Sequence, residues 1–460
     1  MLLRLVQVLF AATAVACMVG CDAMCRAQVA QEDMAVFLAD EEEPSDGDDY
    51  VDLTKFTLPE YVEYALANRP DVEQSRLAVS NAVLKLVSVT SGEYPIIGLS
   101  GGQSRSTHNA GPHFSWRQTG RANGAFRMSL LLYDFGRLDA QEQEMYENIL
   151  AAQQACADME LSVFEEVTKA YFTLLRNDAL LVVARTNELQ YAEHLRQAET
   201  LFEAGEVKNL DVLKARLDLS NAQLGSITAS NDVITASADF IRSLGLKADR
   251  ADRLDVLLPA ADALAAAKRE LPVSEQDPAD ALAFARTNAP SLMVLRAKLR
   301  AASAQVDYAV SDLLPSLSLD ADLSWADPPW NFGWGLSAVQ SLFEGYRKTS
   351  AVDSAIVSML SAREAVLLAE QNLSHELSVA CAARDTARQA LATAQVQVMQ
   401  ARENYENVVA QYRVGEASRI DFTDAASAFS SAEGARVKAF YAGQIAEAAL
   451  VRLTGKGMEY

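Results

Sequence analysis

Twelve residues of this chain occur twice. Leu201–Val212 (LFEAGEVKNLDV) returns 210 residues later as Gln411–Phe422 (QYRVGEASRIDF). Aromatic Phe202 answers Tyr412, Gly205-Glu206 answers Gly415-Glu416, Leu210-Asp211 answers Ile420-Asp421, and Val212 answers Phe422. Two more landmarks keep that offset: Leu132–Arg137 (LYDFGR) with Leu342–Arg347 (LFEGYR), and Ile241–Gly245 with Val451–Gly455. Upstream the offset is 220, pairing Asn68-Arg69-Pro70 with Asn288-Ala289-Pro290 and Pro95 with Pro315. The second copy therefore lacks ten residues between Pro315 and Leu342. Length alone would suggest about three domains, but an internal repeat takes precedence. The 460 residues form one object built from two halves.

Each half begins with helical spacing. Leu58, Val62, Ala65 and Leu66 share one face, Pro70 interrupts, and helix resumes to about Gly92. Past the proline at 95 or 315 the apolar period changes from 3.6 to 2. In the second copy Leu317, Leu319, Ala321, Leu323 and Trp325 alternate with Ser316, Ser318, Asp320, Asp322 and Ser324. After Asp327-Pro328-Pro329 the chain returns with Phe332, Trp334, Leu336 and Ala338 on one face. In the first copy Pro95–Ser104 leads out, and Gly124, Phe126, Met128, Leu130 and Leu132 lead back. The polar loop between them holds His108, Asn109, Pro112 and His113. Each half thus supplies one hairpin of strands about ten residues long, enough to cross a bilayer when tilted. Four such strands cannot close into a barrel alone, and lipid does not tolerate an open edge.

The rest reads as helix. Between Arg137 and Gly205 there is no proline and no glycine, and Met145, Ile149, Ala152, Cys156, Met159 and Val163 step by four and three, as a coiled-coil seam does. Arg137 to Gly205 and Arg347 to Gly415 are each 68 residues, about 100 Å of helix against a mean near 11 residues in globular proteins. The chain then reverses through Asp211–Leu244 and Asp421–Thr454. Gly205 and Gly415 suit the left-handed position after a helix. Ser418 and Asp421 have capping-box spacing; Asp211 matches Asp421, with Lys208 in the serine's place. Repeat 1 spans 57–247 and repeat 2 spans 278–457, joined by a connector at 248–277 with Pro259 and Pro272.

The net charge is −22. That excludes nucleic acid as a partner, because phosphate binding needs a basic face. Ten acids between Glu32 and Asp52 lie in an arm (28–56) too polar to order itself. Residues 1–27 read as a signal peptide; Met18–Cys21 fits a lipidation site, and cleavage after Ala23 or Ala27 fits equally. Of the remaining cysteines, Cys156 and Cys381 are not equivalent in the repeat and read as small seam residues, not a disulfide. His108, His113, His194 and His375 are scattered, without the nucleophile motif, phosphate loop or acid cluster that chemistry or a metal would need. We expect neither enzyme nor cofactor, and no metal site.

The chain resembles the TolC-type outer-membrane efflux proteins (outer membrane factors). The resemblance rests on Leu58-Pro59-Glu60 with Ala65–Pro70, on Leu132–Arg137, and on Phe202–Val212 with its echo Tyr412–Phe422, and it covers 57–455. It implies a mainly α protein with a membrane β-barrel contribution: long antiparallel coiled-coil helices and two β-hairpins in tandem, closed as a homotrimeric α/β-barrel channel in outer membrane lipid. Each protomer would give four strands to a twelve-stranded barrel. The two turns would meet a periplasmic adaptor (membrane fusion) protein, and behind it an inner-membrane pump or ABC exporter. The residues implied there are Gly205, Glu206, Asp211, Gly415, Glu416, Ser418, Arg419 and Asp421. Acids near the second turn, Glu403 and Glu406, would ring the lumen constriction; otherwise they are a solvated helix face. Three departures stand out. Tyr346 replaces a glycine, Glu206 and Glu416 replace apolar residues, and Lys208-Asn209 replaces a Ser-Arg pair. Two functions stay open: a passive exit duct for tripartite efflux or type I secretion, and a non-conducting periplasmic scaffold or adaptor. A strand hairpin with one apolar face favours the duct.

Overall fold

The computed structural model describes residues 56–109, 116–205, 207–246, 278–326, 330–414 and 416–455. The signal segment, nearly all of the acidic arm, the connector 248–277, His113, Glu206 and Gly415 lie outside the described residues.

Helix α1 (Leu58–Asn68) starts at Thr57, whose N–H and hydroxyl both donate to Glu60 (2.5 and 2.8 Å). Pro59 stands in the first turn, where a missing N–H costs nothing. Each Asn-X-Pro motif is a hinge between two helices. Asn68 donates to the Tyr64 carbonyl (2.8 Å), just as Asn288 donates to that of Phe284 (3.0 Å). The middle residue is extended, since a following proline disfavours helix there. Pro70 and Pro290 then open α2 (Pro70–Thr90) and, in the second half, α6 (Pro290–Ser311) after α5 (Pro278–Asn288).

Strands β1 (Ile96–Asn109), β2 (Trp116–Tyr133), β3 (Ser316–Ala326) and β4 (Trp330–Val339) form one antiparallel sheet in the order β1-β2-β3-β4. The first hairpin is longer than its apolar alternation predicts, with strands of 14 and 18 residues. His108 therefore stands in β1 opposite Arg117, not in a loop. No proline lies between Ile96 and Asn109, so backbone pairing runs on past the apolar stretch and through the polar residues.

Each hairpin hands over to a helix of 67 residues, α3 (Arg137–Glu203) after β2 and α7 (Arg347–Arg413) after β4. After the turns, α4 (Asn209–Ser243) and α8 (Arg419–Thr454) climb back. Packing order is constant along the molecule. Beside the sheet the neighbours run α2-α3-α6-α7, and towards the turns α4-α3-α8-α7. With the sheet, this makes a wall four elements wide whose columns keep their places throughout.

The seams differ between the two long helices. On α7, Leu373, Leu377, Ala380, Arg384, Ala387, Leu391, Ala394 and Val398 are buried at steps of four and three, a narrow seam. On α3 the expected seam is buried or half-buried, but so are Ala151, Leu161, Phe164, Val167 and Thr168 around it. An inner column packs on both flanks, so its buried face is wider than a two-helix seam. Cys381 is a buried α7 residue and Cys156 is half-buried beside the Ser75 hydroxyl (3.2 Å); both are free thiols. Among the described residues, no helix is long and apolar enough to cross a membrane.

Candidate functional site

The sheet sorts its two faces by register. Leu317 pairs with Ala338, Leu319 with Leu336, Ala321 with Trp334, Leu323 with Phe332 and Trp325 with Trp330. The same face continues through β2 and β1, where Phe126 meets Leu323 and Leu99 meets Phe126. Gly124 lies under the indole of Trp325, where an added Cβ would sit 1.9 Å from the ring. On β4 these apolar side chains are bare: Trp334, Leu336 and Phe332 are 72%, 62% and 62% exposed. The opposite face is polar, with Asp320 accepting from Ser337 (2.6 Å), Ser129 (2.8 Å) and Ser318 (3.4 Å). One face of the sheet is therefore suited to hydrocarbon and the other to water. The rings of Trp325 and Trp330 lie 5.3 Å apart at its far end, as a membrane-interface aromatic pair would.

The second turn holds most of the expected tip residues. Ser418 and Asp421 form a full capping box: the Asp421 N–H donates to the Ser418 hydroxyl (3.3 Å), while the Ser418 N–H and O–H donate to the Asp421 carboxylate (2.9 and 2.7 Å). Those bonds, the hydroxyl's foremost, hold the Asp421 carboxyl below the usual range. In the first turn, Gly205 is left-handed (φ 81°). Its box is half-made: the Lys208 N–H donates to Asp211 (3.4 Å), but a lysine side chain offers no acceptor in return. The Asp211 N–H uses the Lys208 carbonyl instead (2.9 Å). Glu416 is exposed. Arg419 reaches across from α8 to α4 and donates to Asp218 at 2.8 Å. Glu403 and Glu406 are both exposed on α7, off its seam, and Arg402 lies 3.9 Å from Glu406.

Just above the turns is a cluster that sequence reasoning passed over. His194 on α3 is 1% exposed. It stacks on Phe422 of α8 (centroids 4.2 Å, 18°) and lies 5.0 Å from the Tyr412 ring of α7. Tyr191, Ala222, Tyr412, Phe422 and Ala426 form the buried core beside it. Neither ring nitrogen of His194 has a hydrogen-bond partner among the described residues. Burial pulls its pKa down to about 4; Asp218 opposes the shift and Arg419 adds to it. The signal available beforehand was spacing: Tyr191, His194 and Ala198 step by three and four, and all are buried.

A four-column wall with an amphipathic sheet at one end and capped helical turns at the other defines a class, the outer-membrane channels with helical shafts. The chain belongs to the outer membrane efflux protein family, which it matches over residues 61–246 and 282–456. It is 22% identical over 353 residues to outer membrane efflux protein BepC of Brucella suis biovar 1, covering 75% of this chain and 74% of that one. It is 24% identical over 405 residues to the toluene efflux pump outer membrane protein TtgC of Pseudomonas putida, covering 83% and 79%. Its fold is similar to that of CusC (TM-score 0.76, 19% identity, 87% of this chain and 92% of the other). It is also similar to the CmeC outer membrane channel of Campylobacter jejuni (TM-score 0.75, 19% identity, 87% and 86%). The family is one of transport proteins. The chain is an exit duct of the outer membrane.

Proposed function

We propose that three copies close into one passive tunnel, with a twelve-stranded barrel in the outer membrane and twelve helical columns at each level of the shaft. The observation that carries this is the pair of open edges. Among the described residues β1 and β4 are the unpaired edges of the sheet, and the same two columns are outermost in the shaft, α2 and α4 on one side and α7 on the other. Along α4, Leu210, Leu213, Leu217, Leu224, Ile227 and Ile234 repeat at steps of three, four and seven, and each is more than half exposed. That is a heptad seam without its partner. Four strands fall short of the roughly eight that fill the smallest barrel, whereas about twelve leave a lumen. A three-fold ring joins every edge to its complement. A periplasmic scaffold has no use for the bare apolar face of β1–β4.

In this reading the turns, with Gly205, Glu206, Asp211, Gly415, Glu416, Ser418, Arg419 and Asp421, are where a periplasmic adaptor docks and connects the duct to an inner-membrane pump. The chain carries no chemistry of its own and is not an enzyme. Glu403 and Glu406 give the tunnel a cation-preferring constriction, two carboxylates from every protomer, partly offset by Arg402. Purified protein should run as a monodisperse trimer in detergent and form discrete conductance steps in planar bilayers. A monomer, or a trimer without conductance, overturns the reading. The Glu403→Gln, Glu406→Gln double variant should lose cation preference and block by divalent ions added on the turn side; an unchanged block means these acids are only a solvated face.

A further inference from the structure

We propose that His194 is an acid sensor that loosens the joint between the two helical hairpins just above their turns. The geometry makes this histidine a tie. It sits on α3, in the first half of the chain, and its contacts are the rings of Tyr412 and Phe422, on α7 and α8 of the second half. In the same layer, the Arg419–Asp218 ion pair crosses from α8 to α4. Separating α8 from α3 here exposes the imidazole; packing them together buries it.

A neutral imidazole tolerates that burial on the strength of its ring contacts. An imidazolium does not, because both nitrogens then carry hydrogens and neither has an acceptor among the described residues. The charged groups around it offer little help. On α3, Glu193 is held by both ends of the Arg196 guanidinium (2.9 and 2.7 Å). On α4, Asp218 is engaged by Arg419 (2.8 Å). On α7, Arg413 is a second cation beside Tyr405 and Glu193, while the phenols of Tyr405 and Tyr412 are neutral in this range, as phenols ordinarily are, and burial raises their pKa values further. On α8, Arg419 repels, and Asp424 faces Tyr191. The Phe422 face attracts a cation, but only partly replaces lost water. A proton on His194 therefore competes with Arg419 for Asp218, and either result, an unpaired arginine or an unpaired imidazolium, weakens the layer. A cleft of about 260 Å³ lined by Gln190, His194, Tyr405, Arg413 and Phe422 borders the ring and leaves room for the joint to open.

The sign follows from linkage. The histidine is protonated near pH 6.5 when the joint is open and near pH 4 when closed. Opening is favoured as pH falls below about 6.5, rising roughly 10- to 30-fold between pH 7.5 and pH 5.

The inference depends on the channel reading for its consequence alone, so two readouts separate them. Hydrogen exchange of the detergent-solubilised full chain, corrected for intrinsic rates, should show amides at 188–200 and 418–430 losing protection roughly 10- to 30-fold from pH 7.5 to pH 5. His194→Phe, which keeps the stack and removes the proton, should flatten that dependence; His194→Leu serves if the phenylalanine variant does not assemble. A wild-type profile as flat as the variant's, or an equal loss in both, overturns the proposal. In bilayers, wild-type conductance should rise over the same range and the variant's should not. Channels silent at every pH overturn the duct, while exchange still judges the joint.

Discussion

At the scale of single residues, the repeat preserves backbone conformation more faithfully than sequence. In the first copy Phe135 and Gly136 are left-handed (φ 58° and 81°); in the second, Gly345 and Tyr346 are (φ 59° and 66°). The glycine has moved by one position, yet both residues of the turn from strand to shaft keep the same shape. Tyr346, standing where the resemblance leads one to expect glycine, keeps that shape and accepts the strain. Left-handed backbone costs a non-glycine residue about 1–2 kcal/mol, and Tyr346 is 73% exposed, so its side chain recovers little by burial. Tyr346→Gly should leave the fold intact and raise the melting temperature of the detergent-solubilised protein; a lower one would mean that its ring contact with Phe343 matters more than the backbone. Gly245 and Gly455 are a second such pair. Both are left-handed, and a Cβ on Gly455 would lie 2.6 Å from the Asn288 carbonyl, as one on Gly245 would lie 3.1 Å from the Arg69 side chain. The repeated Asn-X-Pro motifs are thus platforms for the repeated terminal glycines. Sequence spacing aligned the two motifs but could not bring them into contact, because each motif and its glycine stand at opposite ends of a half. Gly455→Ala should destabilise by about 2 kcal/mol or more, strain and clash together, seen as earlier thermal loss of helical circular dichroism.

At the scale of elements, helix limits were legible almost to the residue, since prolines, glycines and caps punctuate them. The caps also make a graded prediction. Ser418→Ala should weaken the second turn by about 1 kcal/mol, and Lys208→Ser should stabilise the first by a similar or smaller amount. Local hydrogen exchange at 208–215 and 418–425 reads both effects. Acid gives the sign check for the second cap. The Asp421 pKa is lowered in the folded turn, so its contribution is present above pH ~3.8 and lost as pH falls through the folded value. That loss lies below the window assigned to His194. What spacing did not reveal was how widely each long helix is buried. An inner and an outer column show the same apolar steps, and only the packed neighbours tell them apart. His194 escaped notice for the same reason: its two aromatic partners come from the other half of the chain.

At the scale of the whole molecule, duplication allowed the sequence to announce one object in two halves, and the alternation in β3 and β4 announced a sheet with one apolar face. The order of columns was not legible, because no local pattern says which helix lies beside which. That order gives Ile227 its meaning. It stands 210 residues before Val437, which is fully buried on α8 in a cluster with Ala179 of α3 and Leu391 of α7, whereas Ile227 is 65% exposed. We propose that the neighbouring protomer's α7 covers Ile227 as α3 covers Val437. Ile227→Asp should then leave each protomer helical while shifting the detergent mass from trimer to monomer; a stable trimer would place the joint elsewhere. The two open edges also carry a genetic consequence. A ring that depends on every joint inherits the weakness of its worst subunit, so an edge variant should act dominantly. With equal amounts of wild-type and variant chains mixing at random, only about one ring in eight would be wholly wild type if rings are three-fold. Efflux in a merodiploid cell should fall towards that fraction, well below the half that independent protomers would retain.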